Sequence, residues 1–458
     1  MILGLAVLIV YIGLTIFAQE NSSNRKVSEK LIDKIDSFSV IQKSLKVSPD
    51  SKRLAYTARL DNKQIIIIDG KKEKQYDSTD SLVFSPDSKH LVYAAKSGDK
   101  CFVVIDGKDE NQYSFLVGTL VFSPDSKRLA YMAKLNNKWF VVIDRKEEKL
   151  YDGIGNPVFS PDSKHLSYAA RLGDKCFVVI DGKEEKQQYD EIGDPVFSPD
   201  SKRLSYGVRL GNKWSVVIDG KEGKQYDGLG AGNCVFSPDS KRLSYGAQLD
   251  DKWFVVVDSK EGKQYEGVSK SVFSPDSKCL VYIVLLGNKQ FVVIDDKEGK
   301  QYDIIGNPVF SPDSKCIAYG VRLGNKQSVV IDGKEGKQYD GICDPVFSPD
   351  SKRLSYGAQL GDKCFVIIDG KEEKQQYDGM GKGNPVFSPD SKRLAYMVRL
   401  GDKWSVVIDG KEGKQYDNSI VIVTLWGGKI VFDTSVSFHY LAMMKNNEIY
   451  LVEEKIEE

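Results

Sequence analysis

The sequence is short of histidine, has few cysteines and carries no net charge, and each shortage removes a class of function. Lys plus Arg number 65 and Asp plus Glu number 65, so no overall field attracts nucleic acid or acidic lipid. The charges are interleaved, as in Lys221-Glu222-Gly223-Lys224, and form no basic stripe, which speaks against a nucleic-acid partner. Seven cysteines are an odd number with no CxxC pair. Cys101, Cys176 and Cys364 stand where other copies of a repeat have Trp or Gln, and Cys279 and Cys316 where others have Arg or His. Cysteines that trade places with unrelated residues do not form a disulfide framework or a metal cluster. Only three histidines occur in 458 residues. His90 and His165 fall at that same Arg/Cys position, flanking a turn, and His439 has no evident partner. No segment holds a helical period.

What is present is repetition. Ser-Pro-Asp-Ser-Lys occurs ten times, beginning at Ser48, Ser85, Ser123, Ser160, Ser198, Ser237, Ser274, Ser311, Ser348 and Ser388, at spacings of 37 to 40 residues. Fixed self-similarity of this length signals a solenoid, a propeller or another array. Each unit reads as four short strands. In the fifth copy Pro195-Val196-Phe197 leads into the Ser-Pro-Asp-Ser turn, whose Pro presets one turn position while Asp and Ser bond the local backbone. Leu204, Tyr206 and Val208 alternate along the second strand. Trp214-Ser215-Val216-Val217-Ile218 is a continuous apolar run suited to a strand buried on both faces. The fourth strand, around Gln225-Tyr226-Asp227, is polar, as befits an exposed outer edge. Twenty of the 23 tyrosines sit at two repeat positions, which assigns them to packing between units.

Phe-Ser-Pro-Asp-Ser-Lys-Arg-Leu-Ala-Tyr resembles the WD-repeat-like propeller unit of TolB-type proteins and of the propeller domains of prolyl-oligopeptidase-type peptidases. The resemblance covers residues 47 to about 417 and implies an all-β propeller. The chain departs from that pattern in Ser51, Ser88 and their equivalents, where the family usually has Gly. It lacks the TolB-type N-terminal domain and a Gly-x-Ser-x-Gly elbow, so neither Tol-system partnership nor peptidase activity carries over.

Residues 47–429 are thus ten propeller repeats, and 430–458 read as a degenerate eleventh without a fourth strand. Residues 19–46 form a linker in which Phe38-Ser39-Val40-Ile41 is the candidate ring-closing strand. Ten or eleven blades allow one large ring or two propellers, such as five plus six. Residues 2–18 carry no charge and read as a signal-peptide core or a membrane anchor, although the basic n-region is missing and Ile16 occupies the -3 position. The expected location is therefore outside the cytoplasm: periplasmic, or associated with the cell envelope.

Near-identical blades produce rings of identical side chains, whereas catalysis needs unlike groups converging on one point. The expected function is a non-catalytic scaffold that binds another protein, with no cofactor and no metal. Functional positions should be those at which the units differ. Trp139, Trp214, Trp253 and Trp404 alternate with Gln and Cys at the start of the third strand and could stack on a glycan or peptide; strand-end packing is the plainer explanation. Phe115-Leu116 and Leu285-Leu286 are apolar departures from the consensus. Ile420–Trp426 is an apolar insertion before the last unit.

Overall fold

The computed structural model describes residues 25–36, 39–230, 234–381, 385–417, 428–444 and 447–457, the side chains of 42, 115–118 and 417 aside. Among the described residues the strands form eleven separate antiparallel sheets. Blade 5 shows the plan. Its inner strand is split into Glu191–Ile192 and Val196–Phe197, both paired with Leu204–Leu210. That strand pairs with Lys213–Ile218, which in turn pairs with Lys221–Glu222 and bridges Tyr226. Numbered by second strand, blade 1 holds Leu54–Leu60, blade 10 Leu394–Leu400 and blade 11 Ser437–Met444.

The third strand reads as one apolar run because its residues serve two neighbours in turn. Val217 packs with blade 4 and Val216 with blade 6. Tyrosine does the same work at the rims: Tyr151 of blade 3 meets Tyr168 and Phe177 of blade 4 edge-on, with ring centroids 6.4 and 5.7 Å apart. Among the described residues eleven such hydrophobic clusters occur, one at each joint between consecutive blades. One of them joins Leu441, Met443 and Ile449 of blade 11 to Leu54, Tyr56 and Ile65 of blade 1. The circle therefore closes as a single ring, and the division into five plus six is set aside.

Closure differs from the sequence expectation. The missing fourth strand of blade 11 is Arg25–Lys34, antiparallel to Glu448–Ile456. Val40 instead bridges Ala58 at the inner edge of blade 1, and Ile41 N–H donates to Thr57 C=O; Phe38 lies outside the described residues. The reason is chemical. Outer strands are polar, so Arg25-Lys26-Val27-Ser28-Glu29 suits the rim, whereas the apolar Val40-Ile41 suits the inside. Glu29 indeed accepts hydrogen bonds from Lys414 and Tyr416 of blade 10, as Glu184 does from Lys149 and Tyr151 between blades 3 and 4.

Each Ser-Pro-Asp-Ser-Lys turn is also a stitch. Ser85 Oγ donates to Asp87 Oδ1 and accepts the N–H of His90. The second serine of every turn sits at positive φ, between 57° and 66°, the region that favours glycine. Serine is used because its hydroxyl binds the preceding blade: Asp50 N–H donates to Ser88 Oγ, Asp162 N–H to Ser201 Oγ, and so on through Asp350 to Ser391. Lys429 N–H of blade 11 donates to Ser51 Oγ and carries the series across the closure.

Candidate interaction face

Alternating strand direction gives the ring two unlike faces. One, the turn face, gathers the Ser-Pro-Asp-Ser-Lys turns and the Asp-Gly-Lys hairpins between third and fourth strands. The other, the connector face, gathers the hairpins between second and third strands and the links from one blade to the next. On the turn face the ten pentapeptides are identical. On the connector face almost every link differs: Ser78-Thr79-Asp80-Ser81, Glu191-Ile192-Gly193-Asp194, Gly267-Val268-Ser269-Lys270 and Gly341-Ile342-Cys343-Asp344 occupy equivalent places.

The connector face is held by its own stitch. Asp152 takes Lys138 Nζ at 2.5 Å within its blade and Gly173 N–H at 2.9 Å from the next. The bond from Lys138, then that from Gly173, holds the Asp152 carboxyl below its ordinary range. Asp190, Asp303 and Asp340 repeat the arrangement. Between blades 6 and 7 Glu266 replaces the aspartate, and at the second joint Ser114 donates to Lys134 C=O instead.

Past this stitch the second strand ends in leucine. Leu135, Leu172, Leu210, Leu286, Leu323 and Leu360 are 38 to 47% exposed. They share the inward parity of Leu204, Tyr206 and Val208 but lie beyond the rim of the neighbouring blade. Lys134, Arg171, Arg209 and Arg322 immediately precede four of them. The result is a circle of apolar tips, set beside a cation or an amide at every one of these positions but Leu286, which follows Leu285. Sequence reasoning placed these leucines within the strand; the signal for their exposure is their position directly before the Gly-Asn, Gly-Asp or Asn-Asn turn.

The tryptophans lie on this face but do not form a bare row. Trp139 is half-buried with Lys134 Nζ 5.0 Å from its ring centroid, and Trp214 is covered likewise by Arg209 at 5.9 Å. Trp253 is half-buried against Gly228 of its own blade's inner strand. Trp404 is buried at the joint with blade 11, and its Nε1 has no partner among the described residues. Where glutamine holds the position it reaches the next blade: Gln64 accepts Thr79 N–H and Gln290 accepts Ile305 N–H, each at 2.8 Å. At Trp404, Gln64 and Gln290 the position thus serves joints between blades. Leu285 is exposed, beside Leu286. The side chains of Phe115 and Leu116, and residues 1–18 and Ile420–Trp426, lie outside the described residues.

His90 and His165 are surface residues 2.7 Å from Asp106 and Asp181. His439, expected to be solitary, is buried, with Nδ1 2.8 Å from Asp433 Oδ2 and Nε2 2.6 Å from Asp50 C=O. The ring thus lies between two hydrogen-bond acceptors. It ties blade 11 to blade 1. Among the described residues no three His, Cys, Asp or Glu side chains come together as metal ligands.

No protein-family profile matches the chain, and no curated protein is similar to it in sequence. Solved structures are similar at low identity. A eukaryotic initiation factor is 16% identical over 67% of this chain and 90% of its own, with a TM-score of 0.42. TolB from Acinetobacter baumannii is 16% identical over 48% of this chain and 64% of its own, with a TM-score of 0.26. The β-propeller domain of the Trilobed protease from Pyrococcus furiosus is 13% identical over 58% of this chain and 95% of its own, with a TM-score of 0.28. The chain is an eleven-bladed β-propeller. That statement rests on its sheets and joints, not on these likenesses.

Proposed function

We propose that this propeller is a non-catalytic scaffold that offers its connector face to another protein. The observation that carries the reading is the segregation of difference: the turn face repeats one pentapeptide, while the connector face varies link by link and exposes a leucine at most hairpins. Isolated apolar tips beside cations suit a broad protein surface better than a small-molecule pocket. Location at the cell envelope is part of the same proposal. It is supported by the uncharged run 2–18. Arg25 pairs with Ile456, which puts the entry of the chain at the turn-face rim. A membrane-held N-terminus then leaves the connector face directed outward.

The test is affinity capture from envelope extracts with two variants of equal fold. Leu172→Asp/Leu210→Asp/Leu323→Asp should lose the captured protein, whereas Lys164→Glu/Lys202→Glu/Lys315→Glu on the turn face should keep it. Retention by the leucine variant, or loss by both, would reject the reading.

A further inference from the structure

The turn face contains a guanidinium-binding arrangement that the chain itself fills at some joints and not at others. After each Ser-Pro-Asp-Ser-Lys turn comes one variable residue, most often arginine. Arg53 Nε lies 2.9 Å from Asp69 Oδ2, its guanidinium carbon lies 5.4 Å from the centroid of Phe84 in the next blade, and its Nη1 donates to the carbonyls of Ser88 and Lys89. Arg128, Arg203 and Arg242 repeat all three contacts with Asp144, Asp219 and Asp258 and with Phe159, Phe236 and Phe273. A carboxylate, an aromatic face and two carbonyls are the groups that recognise a planar, five-donor cation.

In blades 7 and 8 the arginine is replaced by Cys279 and Cys316, yet the other parts remain. Asp295 Oδ1 accepts Leu280 N–H and Asp332 Oδ1 accepts Ile317 N–H at 2.9 Å, the same anchoring that fixes Asp69. The next turns are held in the same way, by Asp276 N–H on Ser314 Oγ and Asp313 N–H on Ser351 Oγ. Among the described residues neither Asp295 nor Asp332 has a cationic partner. The aromatic rings register the difference independently. Phe84, Phe159, Phe236, Phe273 and Phe387, each beneath an arginine, are buried; Phe310 and Phe347, opposite the cysteines, are partly exposed. Burial, then its hydrogen bond to Asp295, pushes the Cys279 thiol up to about 12, so it stays neutral and brings no positive charge to the carboxylate.

We infer that the joints between blades 7 and 8 and between blades 8 and 9 are two adjacent binding sites for arginine side chains of a partner polypeptide, each built from an aspartate, a phenylalanine and a turn's carbonyls. They lie opposite the connector face, so this is a second contact surface, independent of the scaffold reading above. A guanidinium entering from outside makes the contacts that Arg53 and Arg242 make from within. An ammonium matches only the charge, since it cannot stack as a plane or fork between carboxylate and carbonyls.

Calorimetric titration of the full chain with butylguanidinium and with butylammonium tests this. Two equivalents of butylguanidinium should bind, with butylammonium weaker by about tenfold. Asp295→Asn/Asp332→Asn should lose the binding. Cys279→Arg/Cys316→Arg should lose it too while melting above the parent, because the introduced arginines occupy the sites. Equal binding of the two cations, undiminished binding by the arginine variant, or a lowered melting temperature for that variant would overturn the inference.

Discussion

Arg25 and Glu454 stand 429 positions apart in the chain and 3.0 Å apart in the ring, both side chains almost wholly buried. Arg25 also donates to Lys411 C=O, and Tyr440 donates to the second oxygen of Glu454. The pair therefore joins the closing strand, blade 10 and blade 11 at one point. Removing one member leaves the other charged and dry, which costs about 3 to 5 kcal/mol. Arg25→Ala should lose that much in urea unfolding. Burial raises the Glu454 carboxyl above its ordinary range even beside Arg25, so the folded state holds that proton to higher pH than the unfolded chain does. The stability lost on substitution should be smallest in acid, where Glu454 is protonated, and grow as pH rises through the raised value. A loss that does not depend on pH would contradict this.

Deleting residues 25–34 strips blade 11 of its outer strand and exposes the backbone edge of Glu448–Ile456. An unpaired edge of that length is a template for pairing with another chain. The truncated protein should elute as oligomers in size-exclusion chromatography, and a peptide of residues 25–34 supplied in trans should restore the monomeric position.

The positive-φ serines give a two-variant test. Ser201→Gly relieves the backbone but loses the bond from Asp162 N–H, so the two effects, each near 1 kcal/mol, largely cancel. Ser201→Ala loses the bond and keeps the strain. It should be less stable than the glycine variant by about 1 kcal/mol, measured by denaturant midpoint at constant slope.

The turn aspartates set a limit in acid. The hydroxyl of Ser85, then the N–H of Lys89, holds Asp87 at about 2, and Ser311 and Lys315 do the same for Asp313. Equivalent bonds lower Asp125, Asp162, Asp200, Asp239 and Asp276. A lowered carboxyl stabilises the fold above its unfolded value and ceases to do so as pH falls through the folded one. Stability should therefore decline from about pH 4 toward pH 2. In an NMR titration, Ser85→Ala should move Asp87 back toward an ordinary aspartate.

The blade plan was legible in the sequence because local rules write it into every copy. The alternation of Leu204, Tyr206 and Val208, the turn chemistry of Ser198-Pro199-Asp200-Ser201 and the run at Val216-Val217 each depend on neighbours only a few residues away or one repeat away. Closure was less legible. Arg25–Lys34 is polar and far in sequence from its partner, so periodicity does not mark it, and its best signal is its likeness to the Lys-Glu outer strands. The candidate face was half legible: the variable Trp/Gln/Cys position was visible, but its role at the joints with the next blade depends on where Gln64 and Gln290 point. His439 looked solitary because Asp50, whose carbonyl it binds, is 389 residues away.

The pairing of Arg25 with Ile456 brings the start of the closing strand and the end of its partner to the same rim. Tension applied to the chain ends would load that ladder one hydrogen bond at a time, from Arg25 toward Lys34, as in opening a zip. A shear arrangement would make all the bonds resist together; this one does not. The clasp is the mechanical fuse of the ring: under load it would part first, one rung after another, while the ten covalently continuous joints between blades remained intact.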